Sequence, residues 1–165
     1  MRYGQIRQYD IANGPGIRAS IFVTGCTHCC YNCFNEEYQD FRAGQEWTEE
    51  QTQLVINYVT DPNCSGLTLL GGEPFQNVKS LIPVVKAVRT VAPEKSIWAY
   101  SGYIWDDLLA DEERKSLVEL VDVVVDGRFM DELKDPSLQF RGSSNQRLID
   151  VKKTLATGDI ILYSN

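Results

Sequence analysis

Four of the five cysteines, Cys26, Cys29, Cys30 and Cys33, fall within eight residues, and the only histidine, His28, sits among them. Thiolates bind soft metals, and cysteines this close on one loop can converge on a single centre. The pairs Cys26/Cys29 and Cys30/Cys33 each have the C-x2-C spacing of zinc ligands. They abut, however, whereas zinc sites usually join two such pairs from separated segments, and adjacent Cys29 and Cys30 would strain to reach one ion. Cys26, Cys30 and Cys33 alone read C-x3-C-x2-C. A cubane held by three thiolates keeps one of its irons open to another ligand, which is a catalytic feature more than an electron carrier's. A four-cysteine cluster would need the sterically awkward Cys29, or distant Cys64 in its polar loop. His28 is a candidate ligand, but a supporting or surface place suits it better.

Gly71-Gly72-Glu73-Pro74 offers glycines that let backbone approach a ligand, and a carboxylate that could receive an ammonium group. A tight turn would look the same. Neither G-x-G-x-x-G nor a Walker lysine is present, so dinucleotide and P-loop readings fail. Asp126 ends a very apolar run, where a functional carboxylate is more common than a structural one.

The elements that must position these groups alternate. Strands are predicted at 20–24, 67–70, 96–100 and 122–126, with helices between them: one opened by a Thr48-Glu49-Glu50-Gln51 capping box with Leu54, Val55, Tyr58 and Val59 on its apolar face, and one carrying Val78, Leu81, Ile82, Val85 and Val88. Pro83 limits where that second helix begins, and an acidic helical stretch occupies 105–120. Alternation of this kind is the signature of βαβ units around a parallel sheet, which places 71–74, 101–102 and 126–127 at strand C-termini, where α/β folds bind ligands. Segments 146–151 and 160–163 read as two further strands joined through Thr157-Gly158-Asp159. One α/β domain over residues 1–165, with a small C-terminal extension, is the expected organisation.

With 165 residues the chain can bury a core without disulfides. Sixteen Lys and Arg against 23 Asp and Glu leave a net charge of −7, which disfavours binding to nucleic acid or anionic membranes. The polar start, Met1-Arg2-Tyr3-Gly4-Gln5, has no apolar leader, and no stretch reaches spanning length. A cytoplasmic protein with reduced thiols is expected, so metal chemistry outranks disulfides.

The combination of C-x3-C-x2-C after one strand and GGEP after the next resembles the radical S-adenosylmethionine enzymes. Asn13-Gly14-Pro15-Gly16-Ile17-Arg18 is similar to the signature of their glycyl-radical-activating branch. Ser101-Gly102-Tyr103, Val125-Asp126-Gly127-Arg128-Phe129, Lys134-Asp135-Pro136-Ser137-Leu138 and Arg141-Gly142-Ser143-Ser144-Asn145-Gln146 resemble, more narrowly, the activator family of anaerobic ribonucleoside-triphosphate reductases. The match runs from about residue 3 to 148, leaving about 149–165 outside it. The resemblance implies one 4Fe-4S cluster on Cys26, Cys30 and Cys33, with S-adenosylmethionine on the open iron. It implies Gly71, Gly72 and Glu73 at the methionine end and the backbone of Asn32, Cys33 and Phe34 along the adenine. Asp126 and Arg128 would hold the cofactor's polar part. It further implies the large glycyl-radical subunit of the reductase as partner and reduced flavodoxin or a similar protein as electron donor.

Asn32 stands where the superfamily usually has an aromatic, leaving Tyr31 and Phe34 as candidates to stack on adenine. Ala99 stands where some relatives have an aspartate. A complete barrel of this superfamily has six βα units and only four strands are evident, so an open, shortened (β/α) partial barrel is expected, with the reductase docking over the gap. Two other functions compete: an activator of a different glycyl-radical enzyme, and a non-catalytic iron–sulfur or zinc protein.

Overall fold

The computed structural model describes residues 1–164. Seven strands form one open sheet: β1 (Arg2–Asp10), β2 (Arg18–Val23), β3 (Gln45–Glu46), β4 (Gly66–Gly71), β5 (Ser96–Tyr100), β6 (Val123–Asp126) and β7 (Arg147–Asp150), in the order β3-β1-β2-β4-β5-β6-β7. The four expected strands are its centre, β2, β4, β5 and β6, all mutually parallel. Their near-continuous burial explains why they read as apolar runs without polar alternation.

Each strand divides its side chains between two faces. Ala19, Ile21, Val23, Leu67, Leu69, Ile97, Ala99 and Val124 pack into the main core with α1 (Glu49–Val59), α2 (Val78–Val91), α3 (Trp105–Leu109) and α4 (Glu112–Val118). The opposite face carries Trp98, Val123 and Val125 in a smaller cluster with Tyr100, Phe140, Leu148 and Tyr163. No helix among the described residues is long and apolar enough to cross a membrane.

Several expectations need correction. The polar N-terminal segment is a strand, β1, antiparallel to β2. β7 likewise covers β6 in antiparallel fashion, so the chain itself flanks both sides of the parallel centre. Pro83 does not limit the start of α2 but lies inside it; its ring is exposed, as is Lys79, whose carbonyl loses a partner and can turn to water. The 105–120 stretch breaks in two because the Asp111 carboxylate accepts the Glu113 N–H and starts α4 afresh. Leu54 points outward while Val55 and Val59 are buried. At the C-terminal end, α5 (Val151–Thr157) replaces the expected loop and is closed by Gly158 in the left-handed region. Segment 160–163 contributes only an isolated bridge, Ile149 to Leu162.

Candidate metal and cofactor site

The cysteine loop leaves the C-terminal end of β2 and is fastened to the end of β4 by backbone. Gly72 N donates to Val23 O at 2.7 Å and Glu73 N to Gly25 O at 2.8 Å. A Cβ at Gly71 would stand 2.6 Å from Val23 O, and one at Gly72 would stand 2.6 Å from Gly25 O. The glycines of GGEP therefore admit the protein's own loop as well as bordering the ligand space. Gln76 adds a clamp by accepting the Thr27 N–H at 3.1 Å and donating to Thr27 Oγ1 at 2.7 Å.

Left-handed turns at Cys29 and Asn32, both at φ 54°, reverse the loop. Cys26, Cys30 and Cys33 line one cavity of about 480 Å³, within the usual range for small-molecule sites, while Cys29 is exposed. Cys64 is buried before the start of β4 and donates to Gly66 O at 3.3 Å. That is the opposite end of strands six residues long, about 20 Å away, which removes it as a fourth ligand.

Burial pushes the Cys26 thiol up to about 11; the nearby His28 backbone N–H opposes this, and Glu73, Cys30 and Cys33 add to it. Burial also raises Cys30, with Cys33 adding to the rise and the nearby Phe129 backbone N–H opposing it. Thiolates facing one another repel, so a cationic centre is the natural occupant, and N–H groups near sulfur suit an iron–sulfur cluster. Among the described residues no three Cys, His, Asp or Glu side chains are grouped closely enough to hold a single metal ion. A cubane spreads its thiolates over separate irons, and three cysteines around one cavity fit that larger group.

Gly71, Gly72, Glu73 and Phe34 line the same cavity. Phe34 packs at 4.7 Å against Phe129, with Lys134 Nζ 5.5 Å from its ring. Tyr31 is 76% exposed and does not border the cavity. Asn32 lies outside it as well, and Asp126 and Arg128 line a neighbouring pocket that shares His28, Gly102 and Gly127 with the first. Both Asp126 oxygens are engaged, by Arg147 at 3.1 and 2.6 Å and by the Trp105 N–H at 2.9 Å. His28 is buried, with Nε2 2.6 Å from Glu73 Oε1.

Asn13 and Lys134, visible in sequence only inside family-like segments, lie on the cavity wall, whereas sequence reasoning gave Gln76 and Arg147 no role. Their signal is spatial. The loop 127–146 was visible only as family-like segments; here Tyr100 OH donates to Phe140 O at 2.6 Å, and Gln146 Nε2 donates to Gly127 O at 3.0 Å, which closes the loop over the site.

Comparison with known proteins agrees with this geometry. A family profile described as a 4Fe-4S single cluster domain matches residues 12–149. The anaerobic ribonucleoside-triphosphate reductase-activating proteins of Haemophilus influenzae and Escherichia coli are each 41% identical over 150 residues, 88% of this chain and 96% of theirs. That of Enterobacteria phage T4 is 37% identical over 90% of this chain and 93% of its own. The cysteine-lined cavity thus sits in a chain that belongs to the family of anaerobic ribonucleoside-triphosphate reductase-activating proteins.

Proposed function

We propose that this chain is a radical S-adenosylmethionine activase, with Cys26, Cys30 and Cys33 holding a 4Fe-4S cluster and S-adenosylmethionine on its open iron, in a shortened, open form of the superfamily's barrel. The observation that carries this reading is the convergence of those three thiols and the Gly71-Gly72-Glu73 strand end on one cavity. A cluster held by Cys26, Cys30 and Cys33 would supply the single electron for reductive cleavage of the cofactor's sulfonium C–S bond, and with it the radical chemistry that removes a hydrogen atom from a backbone glycine of the reductase.

The chain's own residues aim and shield. Gly71, Gly72 and Glu73 border the methionine end. Of the two candidates Tyr31 and Phe34, Phe34 borders the cavity and stacks on adenine, and the backbone of Asn32 and Cys33 leads into it. Arg128, beside the engaged Asp126, lines the adjoining pocket and offers its guanidinium there to a carboxylate or ribose. The loop 127–146 shields the cavity from solvent, which protects a reactive radical from side reactions. The glycyl-radical subunit of the anaerobic reductase is the partner and a flavodoxin-like protein the electron donor, in a cytoplasmic setting that keeps the thiols reduced.

Anaerobic reconstitution tests this. Wild-type protein is expected to take up about four irons per chain and to cleave S-adenosylmethionine on reduction. Cys26→Ala, Cys30→Ala and Cys33→Ala lose both, whereas Cys29→Ala and Cys64→Ala keep both. A colourless zinc protein without cleavage activity would refute the reading.

A further inference from the structure

We infer that His28 and Glu73 form a positioning pair that seats the cysteine loop, so that the Glu73 carboxylate works inward on the protein. Glu73 is 1% exposed. Its Oε1 accepts from His28 Nε2 at 2.6 Å, Gly102 N at 2.7 Å and Ser101 Oγ at 3.1 Å; its Oε2 accepts from Phe75 N at 2.9 Å and Ser101 Oγ at 3.1 Å. A carboxylate has about four lone-pair sites, and these donors fill them. It receives a cofactor's ammonium only when one of them leaves.

What the carboxylate does hold is the junction of three segments: the end of β4, the end of β5 and the cysteine loop. His28 is the loop's share of that junction. Its ring is buried edge-on against Tyr103 at 4.6 Å and 77°. Tyr103 OH is itself held by Gln76 Nε2 at 2.9 Å and Arg114 at 3.1 Å. A Cβ at Gly102 would stand 2.5 Å from the imidazole, so the bare glycine makes room for the ring. The backbone N–H of His28 itself lies near the Cys26 thiol and favours its ionised form. Fixing the imidazole therefore fixes the N–H near the first thiol and the turn that carries Cys30.

The consequence for the cluster rests on the activase reading; the loop-seating itself does not. Hydrogen exchange on the metal-free full chain separates the two. His28→Phe keeps the bulk and removes the donor, while His28→Gln places an amide N–H near the position of Nε2. Amides 26–30 are expected to exchange at least about tenfold faster in His28→Phe and as in wild type in His28→Gln. Glu73→Gln, which lies outside the loop, is expected to loosen the same amides while those of β4 and α2 stay protected, and it decides the matter if His28→Phe fails to fold. Iron retained after anaerobic reconstitution, with the electron paramagnetic resonance signal of the reduced cluster, is expected to follow the same order. Wild-type protection in His28→Phe or in Glu73→Gln would overturn the pairing. Equal loosening in His28→Gln and His28→Phe would also overturn it, since the imidazole would then act in some other way. Failure of the wild type to take up iron would sink the activase reading and leave the exchange result to decide the pair.

Discussion

The two ends of the parallel strands share a backbone and differ in what their side chains leave unsatisfied. At the N-terminal end the Arg18 guanidinium is fully buried and donates to Thr68 Oγ1, Pro15 O, Leu67 O, and both Ser96 Oγ and Ser96 O, at 2.8–3.1 Å. Burial lowers its pKa to about 10, still far above neutrality, so the charge persists inside a shell of neutral acceptors. Asp10 beside it accepts from Ala12 N, Asn13 Nδ2 and Ser20 Oγ. This end is closed, each polar group answering another. At the C-terminal end three thiols face a cavity, with backbone N–H groups of His28 and Phe129 near two of them. The signature segment 13–18 thus runs from the cavity wall at Asn13 into the closed end, where its Gly14 at φ 120° lies against the Arg18 side chain. Stability is concentrated at one end, and chemistry at the other.

Substitutions can break that division. The largest effect belongs to Arg18→Met, which strands the hydroxyls and carbonyls around it. It is expected to cost about 3–5 kcal/mol and to lower the melting temperature of the metal-free protein by roughly 10 °C, as read by calorimetry. Cys26→Ala should shift that melt by less than about 2 °C while abolishing iron uptake; comparable melting losses in both variants would erase the contrast. Phe34→Ala is expected to raise the KM for S-adenosylmethionine about tenfold, and Tyr31→Ala to change it less than about twofold. The reverse ranking would assign adenine stacking to Tyr31.

A smaller effect tests the closed end by pH. Burial raises the Asp10 pKa, but the hydrogen bonds from Asn13, Ser20 and Ala12 outweigh it and hold the carboxyl below its ordinary value of 3.8. Its stabilisation is therefore complete above that ordinary value and is lost as pH falls through the depressed one. Asp10→Asn is expected to cost about 1–2 kcal/mol at pH 7, with the gap to wild type narrowing below about pH 4 in denaturant titrations. The smallest effect is Cys29→Gly, which relieves the φ of 54°. It should change stability by less than about 1 kcal/mol and leave iron content unaltered.

Sequence pattern resolves the two ends unequally. β2, β4, β5 and β6 are legible because burial on both faces makes each a compact apolar run. β1 is not, because a half-buried strand paired on its outer side only by the two-residue β3 tolerates Arg2, Gln5, Arg7 and Gln8. α5 hides because Val151 and Thr154 are its only buried residues. The thiol spacing and GGEP are local in sequence and read directly. The His28 to Glu73 bond spans 45 positions and the Asp126 to Arg147 pair 21, so neither could be seen before folding. Asp126 stood out as a strand-end carboxylate, yet nothing near it in sequence showed that Arg147 engages both oxygens.

The most direct measurement of the central claim is electron paramagnetic resonance on the reconstituted, reduced protein mixed anaerobically with S-adenosylmethionine and the large subunit of an anaerobic ribonucleoside-triphosphate reductase. A glycyl-radical doublet on the reductase that requires Cys26, Cys30 and Cys33 and survives Cys29→Ala is the expected result. Cluster uptake and cofactor cleavage with no doublet on that subunit would contradict it.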